Sequence, residues 1–142
     1  MLKTVLILNA IWFFGGFHIF YIRRNIFAKI IVPQDERDTP VFQTVVETGR
    51  FMGGFNFALF VLNVLLLFNL GLFDQNLQWA ILLFVMAVAH GSQFVGNVPI
   101  ALQNRRGEGV WDVFKGLMLL IFVVDFTLMM ANGLLAAKYL LS

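Results

Sequence analysis

Four apolar runs dominate the chain: Leu2–Tyr21, Phe51–Phe73, Leu77–Leu102 and Phe114–Leu141. Each is long enough to cross a bilayer, which takes about 20 predominantly apolar residues in a helix. Polar segments bearing proline and glycine separate them. After the first run, Asn25–Val32 continues the helical pattern until Pro33. Thr39-Pro40 is a start signal, with Thr39 as N-cap and Pro40 at the first helical position. That leaves PQDERDT as the turn. The third and fourth runs are joined by NRRGEG, short and broken by glycine. Gly71 and Asp74 punctuate the remaining turn, where Asp74 is placed to cap the third helix. The pattern predicts helices over about 2–31, 40–72, 75–104 and 110–140 in one transmembrane domain spanning 1–142. Short connections between long helices predict an all-α, up-down-up-down four-helix transmembrane bundle.

Composition strengthens this reading. Of the 142 residues, 60% are hydrophobic and 13% charged, and the mean hydropathy is +0.84. A soluble domain is nearer 45–50% apolar and about 25% charged. The spans use nearly the whole chain, so no soluble catalytic domain is expected. The first run lacks a convincing small-residue cleavage site, and its basic pair follows the apolar stretch, so a retained helix is expected rather than a signal peptide. Cysteine is absent, which excludes disulfides, thiolate metal sites, iron–sulfur clusters and cysteine nucleophiles.

The net charge of +2 is too small to imply a partner, but its distribution is informative. Arg23, Arg24, Lys29, Arg37, Arg50, Arg105, Arg106 and Lys115 fall on one side of the expected topology, and only Lys3 and Lys138 on the other. The positive-inside rule then places both basic loops in the cytoplasm and both termini outside. Tyr21 and Trp111 fall at the inner interface, Trp79 and Tyr139 at the outer one, as aromatic belts predict. Trp12 is mid-span and does not fit that pattern.

The candidate chemistry lies within the spans. Asp125 stands ten positions past Lys115 and thirteen before Lys138, close to the bilayer midplane. An ionised group there costs several kcal/mol unless it is paired, protonated or facing water. His90 lies at similar depth in the neighbouring span, so a His90–Asp125 pair is expected, direct or through one water. Such a pair serves as a structural contact, a proton relay or an acid–base pair. At 100° per residue, His90, Gln93, Asn97 and Asn104 form a polar stripe on the third span. The second span carries Gly49, Gly53, Asn56 and Asn63 on one face, the fourth Asp125, Met129 and Asn132, and the first His18, Tyr21 and Asn25. The bland account is interhelical hydrogen-bond glue, about 0.6 kcal/mol each. The functional account is a polar pocket formed by His90, Asp125, Gln93, Asn97, Asn56 and Asn63, open to the cytoplasm.

Two histidines in a helical bundle raise the question of haem. His18 lies near the inner end of its span, and the depth mismatch with His90 is roughly 10 Å at 1.5 Å per residue. No cofactor is expected, haem is disfavoured, and no metal is expected, because only one carboxylate and one histidine share a depth. Gly49 and Gly53 in GRFMGG give a small-xxx-small spacing that permits close helix approach. Arg23, Arg24, Glu47, Arg50, Arg105 and Arg106 are candidates for lipid headgroup contact, against an ordinary surface pair for Glu47 and Arg50 and plain topology determination for the two arginine pairs. The 17 phenylalanines suit lipid contact and core, and equally an isoprenoid, pigment or sterol groove. No phosphate loop, nucleophile elbow or zinc-protease motif is present, and nothing points to nucleic acid.

In length, in the arginine of GRFMGGF and in Ala87-Val88-Ala89-His90, the layout resembles the ergosterol-biosynthesis scaffold family, small four-helix membrane proteins that tether sterol-synthesis enzymes. The four-span DoxX-like proteins share only the architecture. The matched residues are few and of common types, and neither family is adopted. Three functions remain. The leading one is a small non-catalytic subunit or scaffold of a membrane complex, with the bilayer and other membrane subunits, or further copies of the chain, as partners. The second is a binder or enzyme for an amphipathic small molecule such as a quinone, sterol or isoprenoid. The third is an oligomeric small transporter or channel.

Overall fold

A computed structural model describes all 142 residues. The chain forms five α-helices and no strand: α1 (Leu2–Phe17), α2 (Arg24–Ile31), α3 (Pro40–Phe68), α4 (Asn76–Asn104) and α5 (Gly116–Leu140). A π-helical turn, His18–Ile22, extends α1. Short 3-10 turns occupy Gln34–Glu36 and Leu70–Leu72. Four stretches, Leu2–Ile22, Pro40–Phe68, Asn76–Asn104 and Gly116–Leu140, are long and apolar enough to cross a membrane. Large apolar side chains cover much of the outer surface; Phe51 and Phe55 are each 75% exposed.

The element ends have local causes. The first helix is not continuous to residue 31. It widens into the π-turn, where Arg23 N–H donates to the His18 carbonyl at 2.8 Å, and the backbone breaks at Arg23 (φ −102°, ψ 37°) before α2. Val32 is extended ahead of Pro33, as the proline ring requires. The Arg37 guanidinium then donates to the Val32 and Lys29 carbonyls at the end of α2. Thr39 occupies the N-cap of α3 and Pro40 its first position, but the Thr39 hydroxyl donates to the Glu36 carbonyl instead of accepting a helix N–H. At α4 the cap is Gln75, in a reciprocal box with Gln78, so Asp74 lies one residue too early to cap. The Trp79 indole fastens the same turn by donating to the Phe73 carbonyl at 2.9 Å.

The last long helix, α5, starts at Gly116, not near 110, because Asn104 holds the preceding segment in loop form. Its amide nitrogen donates to the Glu108 and Trp111 carbonyls, and its oxygen accepts from Val113 N–H at 2.8 Å. Gly109, at φ +115°, packs against that amide, where a Cβ would collide with it.

The helices pack chiefly as two pairs, α1 with α3 and α4 with α5, joined where α1 meets α5. Two glycines let α3 approach the π-turn closely. A Cβ at Gly49 would stand 2.6 Å from the Phe20 carbonyl oxygen, and one at Gly53 2.6 Å from Tyr21 Cβ. The main apolar core joins both pairs at one end, where Val5 and Leu6 meet Leu66, Trp79, Leu83, Leu135 and Ala136. That end, the terminal end, gathers the start of α1, the end of α3, the start of α4 and the end of α5; the opposite one is the loop end.

Candidate functional site

Beyond the terminal core, the two pairs are bridged by polar groups. Asn9 and Trp12 stand one turn apart on α1, His90 on α4, and Asp125 and Asn132 two turns apart on α5. Asn9, His90, Asp125 and Asn132 are all buried. His90 Nδ1 lies 2.9 Å from Asp125 Oδ1, and the Trp12 indole N–H donates to the same oxygen at 2.8 Å. On its other edge His90 Nε2 lies 3.2 Å from Asn9 Oδ1. Asn9 and Asn132 exchange reciprocal amide hydrogen bonds of 2.9 Å. Asn132 also donates to the Leu128 carbonyl at 2.8 Å. Phe13 stacks on the imidazole, ring centroids 4.7 Å apart.

The network is therefore anchored at the backbone and ends at a carboxylate. Both donors converge on Asp125 Oδ1. Oδ2 receives neither bond, and Asp125 lines a cavity of about 130 Å³. Most of the cavity wall is apolar, from Phe13, Ile19 and Phe20 on the first span to Leu117, Leu120 and Ile121 on α5. Asn56 and Gln93 add two amides. Gly16 makes room for Asn56, since a Cβ there would collide with the Asn56 amide oxygen.

The six pocket candidates divide. His90 and Asp125 meet directly, and Asn56 and Gln93 share the cavity with Asp125. Asn97 belongs to the loop: it accepts the Trp111 indole N–H at 3.1 Å. Asn63 is buried between α3 and α4, donating to the Leu59 carbonyl and approaching Met86 Sδ at 3.3 Å. Among the charged candidates, Glu47 lies 3.3 Å from Arg24 and 2.7 Å from Arg50. Arg106 lies 3.5 Å from Glu108, and Arg23 and Arg105 are exposed. His18 stands in the π-turn, five residues past Phe13, about 7 Å farther along the axis at 1.5 Å per residue.

Sequence reasoning placed Asn132 on the Asp125 face but left it, Asn9 and Trp12 out of the pocket. A signal existed for Trp12: an indole N–H at mid-span needs a partner there, and Asn9 lies one turn away on the same face. Outside the spans, Lys115 and Asp112 pair at 2.7 Å. The side-chain hydrogen bond between them holds the Asp112 carboxyl below its ordinary range and the Lys115 ammonium above its own.

No family model matches the chain, and neither a curated protein nor a solved structure does.

Proposed function

We propose that this protein is an integral membrane protein that holds the polar head of a small amphipathic molecule, of the sterol, quinone or isoprenoid class, in the cavity beside Asp125. One observation carries the reading: a carboxylate with one unengaged oxygen lines a mostly apolar cavity between helices, with the Asn56 and Gln93 amides beside it. Binding sites combine apolar walls with a few convergent polar groups, and a carboxylate deep in a membrane span is retained for a reason. The volume suits a ring-sized head, since an engineered cavity of about 150 Å³ accepts benzene. The tail then extends into the bilayer.

The same reading places the four apolar helices across the membrane in up-down-up-down order. Support comes from the terminal core, which brings alternate helix ends together, and from the eight-to-two division of basic residues. By the positive-inside rule the basic loops are cytoplasmic and both termini extracytoplasmic. An impermeant thiol reagent applied to sealed cells should label Ser142→Cys and spare Arg106→Cys; the reverse pattern would refute this orientation.

Ligand occupancy is tested by mass spectrometry of small molecules retained by the detergent-purified chain. Gly15 lines the cavity, and a Cβ there meets nothing within 4 Å. Gly15→Leu should therefore fill the space and abolish retention without unfolding the protein. Equal retention by both forms would defeat the proposal.

A subunit role is a second reading. It is favoured by an apolar groove on the outer face of α4 and α5, bordered by Ala80, Ala87, Gly133 and Ala137. Small residues at such positions let a neighbouring membrane helix approach closely. Gly133→Leu should then release a co-purifying subunit while leaving ligand retention intact.

A further inference from the structure

We infer, resting on the reading of the cavity as a ligand site, that the site selects hydrogen-bond donors, an alcohol, phenol or quinol in preference to the corresponding ketone, ether or quinone. The hydrogen-bond network runs inward from the backbone to the cavity. The Leu128 carbonyl can only accept, so the group of Asn132 facing it at 2.8 Å is the amide nitrogen. The reciprocal pair then presents the Asn132 oxygen to the Asn9 nitrogen, and Asn9 Oδ1 to Asn132 and to His90 Nε2 together. An amide oxygen has lone pairs and no hydrogen. His90 Nε2 must therefore carry a proton.

That settles the other edge of the ring. Nδ1 and Asp125 Oδ1 share one proton, whether the pair is written as imidazolium and carboxylate or as imidazole and carboxylic acid. Both forms are net neutral, as a site buried in an apolar span requires. In both, Oδ2 carries no hydrogen and offers lone pairs alone to the cavity. A proton on Oδ2 would either turn the Nε2 lone pair against the Asn9 oxygen or leave an uncompensated imidazolium. Asn56 points the same way. Its nitrogen donates to the Met52 carbonyl at 2.9 Å, and its oxygen lies toward Gly16 on the cavity wall. Gln93, on the same wall, can turn either its amide nitrogen or its oxygen to a ligand, so it serves alcohol and ketone alike; the discrimination comes from the two fixed acceptors, Asp125 Oδ2 and the Asn56 oxygen, which only a hydroxyl can satisfy. A site built to hydrogen-bond a hydroxyl penalises the analogue lacking it, because its own polar group is then left unpaired.

Asn132 acts here as a positioning residue, two turns away from the ligand. Without it Asn9 is free to rotate and present its nitrogen to Nε2. The neutral Nδ1–H tautomer and a proton on Oδ2 then become compatible, and the site gains a donor for ketones.

The test uses the full chain in detergent and three probes of one skeleton: hexylcyclohexanol, its methyl ether and hexylcyclohexanone. Binding is followed by equilibrium dialysis, with the Gly15→Leu chain as the blank for partition into detergent. The alcohol should bind about tenfold or more tighter than the other two, the range of a hydrogen bond to a charged group. In Asn132→Ala the alcohol-to-ketone ratio should fall toward one, a change that loosened packing alone would not produce. Ketone binding as tight as alcohol binding in the natural chain would overturn the inference while leaving the cavity as a ligand site. If no probe binds beyond the Gly15→Leu blank, the ligand site and the inference both fall. The natural-chain comparison decides even if Asn132→Ala does not fold, and an unchanged ratio in a folded Asn132→Ala would overturn the relay through Asn9.

Discussion

The terminal end and the loop end hold their helices together differently. At the terminal end, apolar side chains from α1, α3, α4 and α5 interlock across both pairs. Toward the loop end, ring contacts stay within one half, α1–α3 or α4–α5: Phe17 with Phe57 and Phe20 with Phe27 on one side, Phe94 with Phe122 and Phe126 on the other. The small apolar cluster there, Ala28, Phe42 and Val46, joins α2 to α3 and likewise stays within the first half. Between the two regimes lies the layer of Asn9, Asn132, His90, Asp125 and Trp12, and beyond it the cavity. In the bilayer placement proposed above, apolar surfaces gain little by leaving the solvent, so helices associate through packing and hydrogen bonds. A dry interlocked end next to a polar bridge lets the rest of the pair interface remain open without the pairs coming apart.

If the polar layer is the bridge, breaking it should have the largest effect. His90→Leu and Asp125→Leu should each destabilise the fold by about 3–5 kcal/mol, because the surviving partner is left uncompensated. The double substitution should recover much of that loss, read by denaturant titration of helicity in detergent. Additive losses would show that the pair does not hold the two halves together.

The comparison sharpens at the apolar contacts. Leu83, 1% exposed in the terminal core, should cost about 2 kcal/mol as Leu83→Ala, the low end of the range for buried leucines. Leu120, exposed at the cavity edge, should cost far less as Leu120→Ala. Equal losses would mean that the loop end is as tightly interlocked as the terminal end.

Cohesion within the first pair is tested by its glycines. Gly53→Ala forces a Cβ onto Tyr21 and should cost about 1–3 kcal/mol, as overpacking does. Gly54 has open space beside it, so Gly54→Ala should be neutral or slightly stabilising. A loss at Gly54 matching that at Gly53 would remove the close approach of α3 to the π-turn as an explanation.

The smallest effect belongs to the exposed Asp112–Lys115 pair beside α5. The Asp112 carboxyl is held low by the Lys115 hydrogen bond, so its share of stability is present above the unfolded aspartate range and lost as pH falls through the depressed value. The raised Lys115 contributes below the unfolded lysine range and loses that share as pH rises through its raised value. Lys115→Gln should move the Asp112 titration upward, followed by NMR of the carboxyl carbon, with little change in midpoint denaturant.

The sequence showed the spans through unbroken apolar runs, and the Thr39-Pro40 start through backbone chemistry that needs no partner. It placed His90 and Asp125 at one level of neighbouring helices, because rise per residue fixes position along any straight helix, and the two side chains meet there. It did not show the break at Arg23, since nothing in HIFYIRR forbids a continuous helix; the π-turn fits against Gly49 and Gly53 on a different helix. The loop ahead of Gly116 was hidden for a related reason, being held by Asn104 from the preceding helix.

The polar stripe on α4 illustrates the boundary between the two kinds of knowledge. Periodicity placed His90, Gln93, Asn97 and Asn104 on one face, and a single helix can do no more. Packing sent His90 to Asp125, left Gln93 at the cavity, and gave Asn97 and Asn104 to the loop. By itself the sequence determined which segments are helical and apolar, and how far along its helix each polar side chain stands, because those depend on local geometry and transfer free energy. Only the tertiary structure decided who meets whom: that Trp12 and His90 share one oxygen of Asp125 and leave the other open. Hydrogen bonds are short and directional, so their pairing depends on how helices rotate about their axes, which is set by the packing of residues far apart in the chain.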